Sequence, residues 1–150
     1  MQAQTQTVYQ PQRDITGPAF SAWFKMLATL LSLALIGYII SFLLRYPSLA
    51  DGARLLLLIA IAVVLLNWRD FLYATLTING FGIRQTGWLV QQVSWNDVRG
   101  AKLIGLSRLG WLMPPRLAVR TGTGFHTFNC GSLELLNELQ RISLAYQLKS

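Results

Sequence analysis

The side chains able to do chemistry are few and scattered: one histidine, His126, one cysteine, Cys130, and from residue 69 onward four carboxylates, Asp70, Asp97, Glu134 and Glu138. Catalysis needs a nucleophile, an acid or base, or a metal held in fixed relation to a substrate. His126 alternates with Phe125 and Thr127 as on a strand, and with no second histidine in the chain it has none with which to share a metal. Cys130 falls just before an expected helix start, a position that can lower a thiol pKa, although a cysteine there is more often structural. Glu134 and Glu138 stand one helical turn apart, as on a solvated face. Gly80-Phe81-Gly82 and Gly122-Thr123-Gly124 are too short for a phosphate-binding loop and read as turns. The lone cysteine excludes an intramolecular disulfide and a Cys-rich metal centre, and suits a reducing compartment. These residues predict no catalytic, cofactor or metal site and no small-molecule substrate.

Recognition is the better prospect. Residues 105 to 115, GLSRLGWLMPP, have the glycines and prolines of a loop yet carry Leu106, Leu109, Trp111, Leu112 and Met113. Apolar surface of this kind asks for cover. Arg108 and Arg116 flank it, a combination suited to an anionic leaflet, and Arg120 shares a strand face with Arg116. The expectation is that Arg108, Leu109, Trp111, Leu112, Met113, Arg116 and Arg120 contact the membrane interface or a partner subunit. Folding back to close the domain, or packing on the helical hairpin described next, is the alternative. The net charge is +7, but no basic run interleaved with aromatics accompanies it, so no nucleic-acid partner is expected.

The element that must position this loop is a membrane hairpin. Met26 to Leu44 is a 19-residue uncharged stretch, long enough to cross a hydrocarbon core of roughly 30 Å. Lys25 and Arg45 bracket it, with Trp23, Phe24 and Tyr46 where interfacial aromatics sit. Ala34, Gly37 and Ser41 give it a small-residue face that would let another helix approach. A second apolar run, LLLLIAIAVVLL, fills Leu55 to Leu66; extended over Ala53 to Trp68 it reaches only about 24 Å. The spans are expected at about 24–44 and 53–70 within a hairpin of residues 20–72. Ser48-Leu49-Ala50 could mark a signal-peptide cleavage site, but the apolar region is longer than such segments usually are. The loop from Arg45 to Arg54 holds two cations and one anion, whereas residues 69–150 hold nine cations and four anions. The positive-inside rule then puts both termini in the cytoplasm. Residues 1–19 read as a disordered polar tail, since MQAQTQTVYQPQ has no apolar pattern.

Residues 73–150 switch to a two-residue period, with Ala74, Leu76 and Ile78 on one face and Thr75 and Thr77 on the other. Asn79-Gly80 predicts a tight turn through positive φ. Further strands are expected at 81–86, 88–93, 101–106, 116–121 and 125–129, six in all. A closing helix is capped by Ser132, with a Leu135, Leu139, Ile142 and Tyr146 stripe widened by Leu136; Glu134, Glu138 and Arg141 take the polar side. The fold class is α+β: a two-helix transmembrane hairpin, then a small antiparallel barrel or bent sheet capped by an amphipathic helix.

The order of a membrane hairpin, a strand pair turning at NGFGI, the stretch VQQVSWNDVRGAKL and a terminal helix resembles bacterial membrane proteins with a pleckstrin-homology-like (PH-like) domain. The most specific part is Val93-Ser94-Trp95-Asn96-Asp97-Val98. The resemblance implies that Trp95 is buried beneath this turn and that Asp97 accepts backbone hydrogen bonds. It also implies an inner-membrane protein acting as a non-enzymatic scaffold, with membrane lipids and a membrane-protein partner or a second copy as neighbours. General affinity for anionic headgroups is the other reading. Phosphoinositide sites in such folds resemble a basic cluster between the first two strands; Asn79-Gly80, taken as that connection, has no cation.

Overall fold

The computed structural model describes residues 9–105 and 114–147. Strand β1 (Ile15–Pro18) precedes two long helices, α1 (Ala22–Arg45) and α2 (Asp51–Tyr73). Strands β2 (Thr75–Ile78), β3 (Gly82–Thr86) and β4 (Gln91–Ser94) follow, then a 3-10 turn at Trp95–Asp97. Strands β5 (Val98–Ile104), β6 (Arg116–Thr121) and β7 (Phe125–Asn129) lead to helix α3 (Leu133–Gln147).

Both long helices are apolar and long enough to cross a membrane. At 24 and 23 residues they extend about 36 and 34 Å. The second is therefore longer than its apolar run. Its continuation past Leu66 is held by the Trp68 indole, which donates to Thr29 Oγ1 of α1 at 2.9 Å. The hairpin seam runs along half-buried Ala28, Ser32 and Ile36 and buried Ile39 of α1, and along half-buried Leu57, Ile61 and Val64 of α2. The rest of the hairpin is bare: Leu30, Leu31, Leu56, Leu58 and Ile59 are all more than half exposed. Water would penalise that belt, whereas hydrocarbon would not.

β1 corrects the expected tail. Residues 1–8 lie outside the described ones, but Ile15–Pro18 pair antiparallel with β2, Ile15 opposite Ile78. Tyr9 also packs edge-on against Trp95, ring centroids 5.0 Å apart. Local sequence hides this strand because ITGP is short and carries Gly and Pro; what makes it a strand is the free edge of β2. The hairpin is thus inserted between two paired strands, with the Ala19 N–H donating to the Ala74 carbonyl at 3.0 Å across its base. Asn79-Gly80 consequently joins the second and third strands, and the helical hairpin joins the first two.

The strands form two antiparallel meanders, β1-β2-β3-β4 and β5-β6-β7, rather than one closed barrel. Their inner faces share one core of Leu76, Ile78, Ile83, Leu117, Val119 and Phe128. Helix α3 completes it with Leu135, Leu139, Ile142 and Tyr146, the stripe expected from sequence. Ser132 Oγ accepts from the Leu135 N–H at 3.3 Å, capping the helix. Glu138 departs from expectation: it is buried beside Arg141, 3.6 Å away, while Glu134 stays exposed and pairs with Arg13. The N-terminal segment running over α3 covers that face.

Two turns also differ from the sequence reading. No described residue has positive φ. At Asn79-Gly80 the Asn79 side chain instead accepts the Phe81 and Gly82 N–H groups at 3.1 and 3.0 Å, so the turn closes without the left-handed region. The third expected strand starts late, because Trp88, Leu89 and Val90 belong to the exposed β3–β4 connection.

Candidate functional site

Contacts from both helices and from the ends of several strands converge at the base of the hairpin. Ser21 caps α1 by accepting the Phe24 N–H at 3.3 Å. Lys25 Nζ donates to the Leu72 carbonyl at the end of α2, 2.8 Å away, tying the two helices together where carbonyls are otherwise unpaired. Phe20 stacks on Phe24 at 5.1 Å, and Phe71 meets both edge-on at 5.2 and 5.4 Å. This cluster, with buried Ala19 and Ala74, forms a second small core between helices and sheet. The Gly131 N–H donates to the Pro18 carbonyl at 3.0 Å, bringing the end of β7 to the same place. A side chain at Gly131 would lie 2.4 Å from backbone atoms of Phe20, so glycine is required by the close approach.

Strand direction fixes what else lies at this end. β2 leaves the base, β3 returns to it, and the β3–β4 connection therefore turns beside α2. Gly87 faces the Asp70 carboxylate, and a groove there is lined by Leu66, Arg69, Tyr73 and Trp88. Gln85 Oε1, on β3 two residues before Gly87, accepts the Asn129 N–H at 2.7 Å and bridges the two sheets. Asn129 pairs with Arg116, so the start of β6 and the end of β5 lie at the base as well. Gly105 and Pro114, the described residues on either side of the apolar loop expected to make contacts, follow the end of β5 and precede β6 here. Arg108, Leu109, Trp111, Leu112 and Met113 themselves lie outside the described residues.

Arg116 and Arg120 share the exposed face of β6, alternating with buried Leu117 and Val119. They are about 13 Å apart along the strand, so they do not form one cluster. Lys102 lies on the same face, opposite Ala118. Arg120 stands over the Phe125 ring at 5.9 Å. Among the described residues, the ion pairs are Arg13–Glu134 and Glu138–Arg141, which leaves this cationic face uncompensated.

Trp95 is buried, and its indole donates to the Asn79 carbonyl at 2.7 Å. Asp97 is exposed, and its carboxylate accepts no hydrogen bond among the described residues. The role expected of it falls to Asn79. The Val98 N–H closes the 3-10 turn onto the Trp95 carbonyl, so the turn needs no acidic side chain. Ala34, Gly37 and Ser41 all point away from α2, and nothing would meet a side chain at Gly37 within 4 Å. They are not the hairpin's own packing face.

The reactive candidates do not converge. Cys130 is buried, with Sγ donating to the Ser132 carbonyl at 3.1 Å. Burial pushes its thiol up from 9.0, because losing water costs the thiolate more than the hydrogen bond to the Ser132 backbone returns. No group of three or more His, Cys, Asp or Glu able to hold a metal occurs among the described residues.

Sequence reasoning missed the Trp88-Leu89-Val90 tip. The available signal was three consecutive apolar residues after Gly87, which break the two-residue alternation. Comparison of the chain with protein-family models, with curated proteins and with solved structures gives no match.

Proposed function

We propose that α1 and α2 cross a membrane and hold the sheet domain against its cytoplasmic face as a non-enzymatic binding or scaffolding module that acts through protein–protein contacts. The observation that carries this reading is the insertion of the hairpin between paired strands β1 and β2. Only three residues separate β1 from α1 and one separates α2 from β2, so the connection restrains the domain against the bilayer, which suits a platform that presents one fixed surface. The exposed apolar belt of the hairpin supports its embedding. A four-stranded and a three-stranded meander followed by one helix support a PH-like domain, with β1 supplying a seventh strand. A bacterial inner membrane is the setting implied by the resemblance. Fold alone does not assign a ligand, so the module's partner must be read from its surface.

The second reading, affinity for anionic headgroups, is favoured by uncompensated Lys102, Arg116 and Arg120. Neither reading includes specific phosphoinositide recognition.

Two experiments test the proposal. Reporters fused at residues 1 and 150 should both be active in the cytoplasm; an extracytoplasmic C-terminus overturns the orientation. Purification of the full chain in mild detergent should retain a stoichiometric membrane-protein partner or a second copy after a high-salt wash. Monomeric recovery without any partner overturns the scaffold.

A further inference from the structure

We propose that the β3–β4 tip, Trp88-Leu89-Val90, inserts into the interfacial layer of the same bilayer that the hairpin crosses, a step that rests on the membrane reading above. Trp88, Leu89 and Val90 are 63, 74 and 57% exposed, in a connection that would ordinarily be polar. A soluble domain pays for such a tip with solubility unless something covers it. The strand order puts the tip at the hairpin end of the domain, and the groove it shares with Leu66, Arg69 and Tyr73 sets its level. Leu66 is the last residue of the apolar run of α2, so Trp88 stands beside the helix where hydrocarbon would give way to headgroups.

Apolar side chains are exposed on the same stretch of α2: Val63 and Leu65 just before Leu66, and Tyr73, which lines the groove and is 74% exposed. Trp and Tyr favour this layer because a ring can be buried while its polar edge stays wet. Arg69, exposed on the last turns of α2, supplies a cation to anionic phosphates at the same depth. At the opposite end of the domain, among the described residues, the exposed large apolar side chains are Phe81 and Phe125, isolated from each other in sequence rather than in a run of three. The asymmetry between the two ends fits a lipid surface better than a diffuse protein contact. Together with the two helices, the tip makes a third point of attachment, which stops the domain from rotating about the hairpin axis.

The test places an environment-sensitive fluorophore, nitrobenzoxadiazole, on Leu89→Cys in a Cys130→Ser background. The full chain is reconstituted in vesicles of phosphatidylcholine and phosphatidylglycerol carrying spin-labelled lipids. Leu35→Cys in α1 and Phe81→Cys at the distal turn are the references. The expected result is loss of Leu89 emission with spin labels near the headgroups, loss of Leu35 emission with labels deep in the chains, and unchanged Phe81 emission. If Leu89 behaves like Phe81 while Leu35 is quenched, the inference is overturned, the hairpin stands, and the tip is free for a protein. If Leu35 is also unquenched, the membrane reading fails and the inference with it. Val90→Cys repeats the measurement at a second exposed position, so that a local disturbance at residue 89 does not decide the outcome.

Discussion

Gly131 and Gly37 are one residue type under opposite constraints. At Gly131 a methyl group would meet backbone atoms of Phe20 and Pro18 at 2.4 and 2.6 Å, and backbone cannot step aside cheaply. Gly131→Ala should destabilise the domain by about 3 kcal/mol, at the upper end of overpacking costs, seen as an earlier chemical-denaturation midpoint in detergent. Gly37→Ala meets nothing, so it should leave the midpoint and the helical content unchanged. Cys130 gives a second residue-scale prediction. Its thiol is pushed up by burial from 9.0 and the Tyr146 phenol from 10.0 by the same cause. The folded chain therefore keeps protons that the unfolded chain has released. Stability from these groups is fully present below pH 9 and falls as pH rises through the raised folded values. Maleimide should label Cys130 slowly in the native protein and rapidly after denaturation; equal rates would contradict its burial. Sequence shows the helix start beside Cys130, which can lower a thiol pKa, but not the side chains that close over it and decide the direction.

Among elements, β1 and α3 mark the two extremes of legibility. The α3 stripe was readable because four apolar residues recur at helical spacing, and all four are buried in the structure. Leu139→Ala, at a fully buried position, should cost about 2–5 kcal/mol. β1 was unreadable because ITGP has no pattern of its own, and its pairing partner lies some 60 residues away across the hairpin. Removing residues 1–18 should uncover the edge of β2 and make the segment after Tyr73 sensitive to limited proteolysis. Both helices of the hairpin should remain in the membrane fraction. Unchanged proteolysis would show that β1 contributes nothing to the sheet. The same distance argument explains the β3–β4 tip: whether three apolar residues continue a strand or form a turn depends on where β3 stops pairing.

For the molecule as a whole, charge and geometry act together. The cations of β5 and β6 stand on an exposed face, with Arg116 near the hairpin end and Arg120 away from it. Phosphate attraction falls off within about a Debye length, so Arg116 should matter more than Arg120 to any lipid contact. If anionic headgroups are the ligand, Lys102→Gln with Arg116→Gln should reduce the phosphatidylglycerol that co-purifies with the full chain. Arg120→Gln alone should change it little. Unchanged lipid in the double variant, with the membrane-protein partner retained, would favour the protein-contact reading.

By itself the sequence determined the two long apolar helices, the change to a two-residue period after Tyr73 and the terminal amphipathic helix. Each is carried by local periodicity or composition, which is set by neighbours within a turn or a strand, whereas the burial of Trp95 was implied by the resemblance of its turn. Tertiary structure alone decided that the hairpin interrupts a sheet, that Asn79 rather than Asp97 holds its turn, that Glu138 is covered, and that an apolar tip stands beside Leu66. These depend on contacts between residues far apart in sequence, and on which backbone groups remain to be satisfied once the strands have paired.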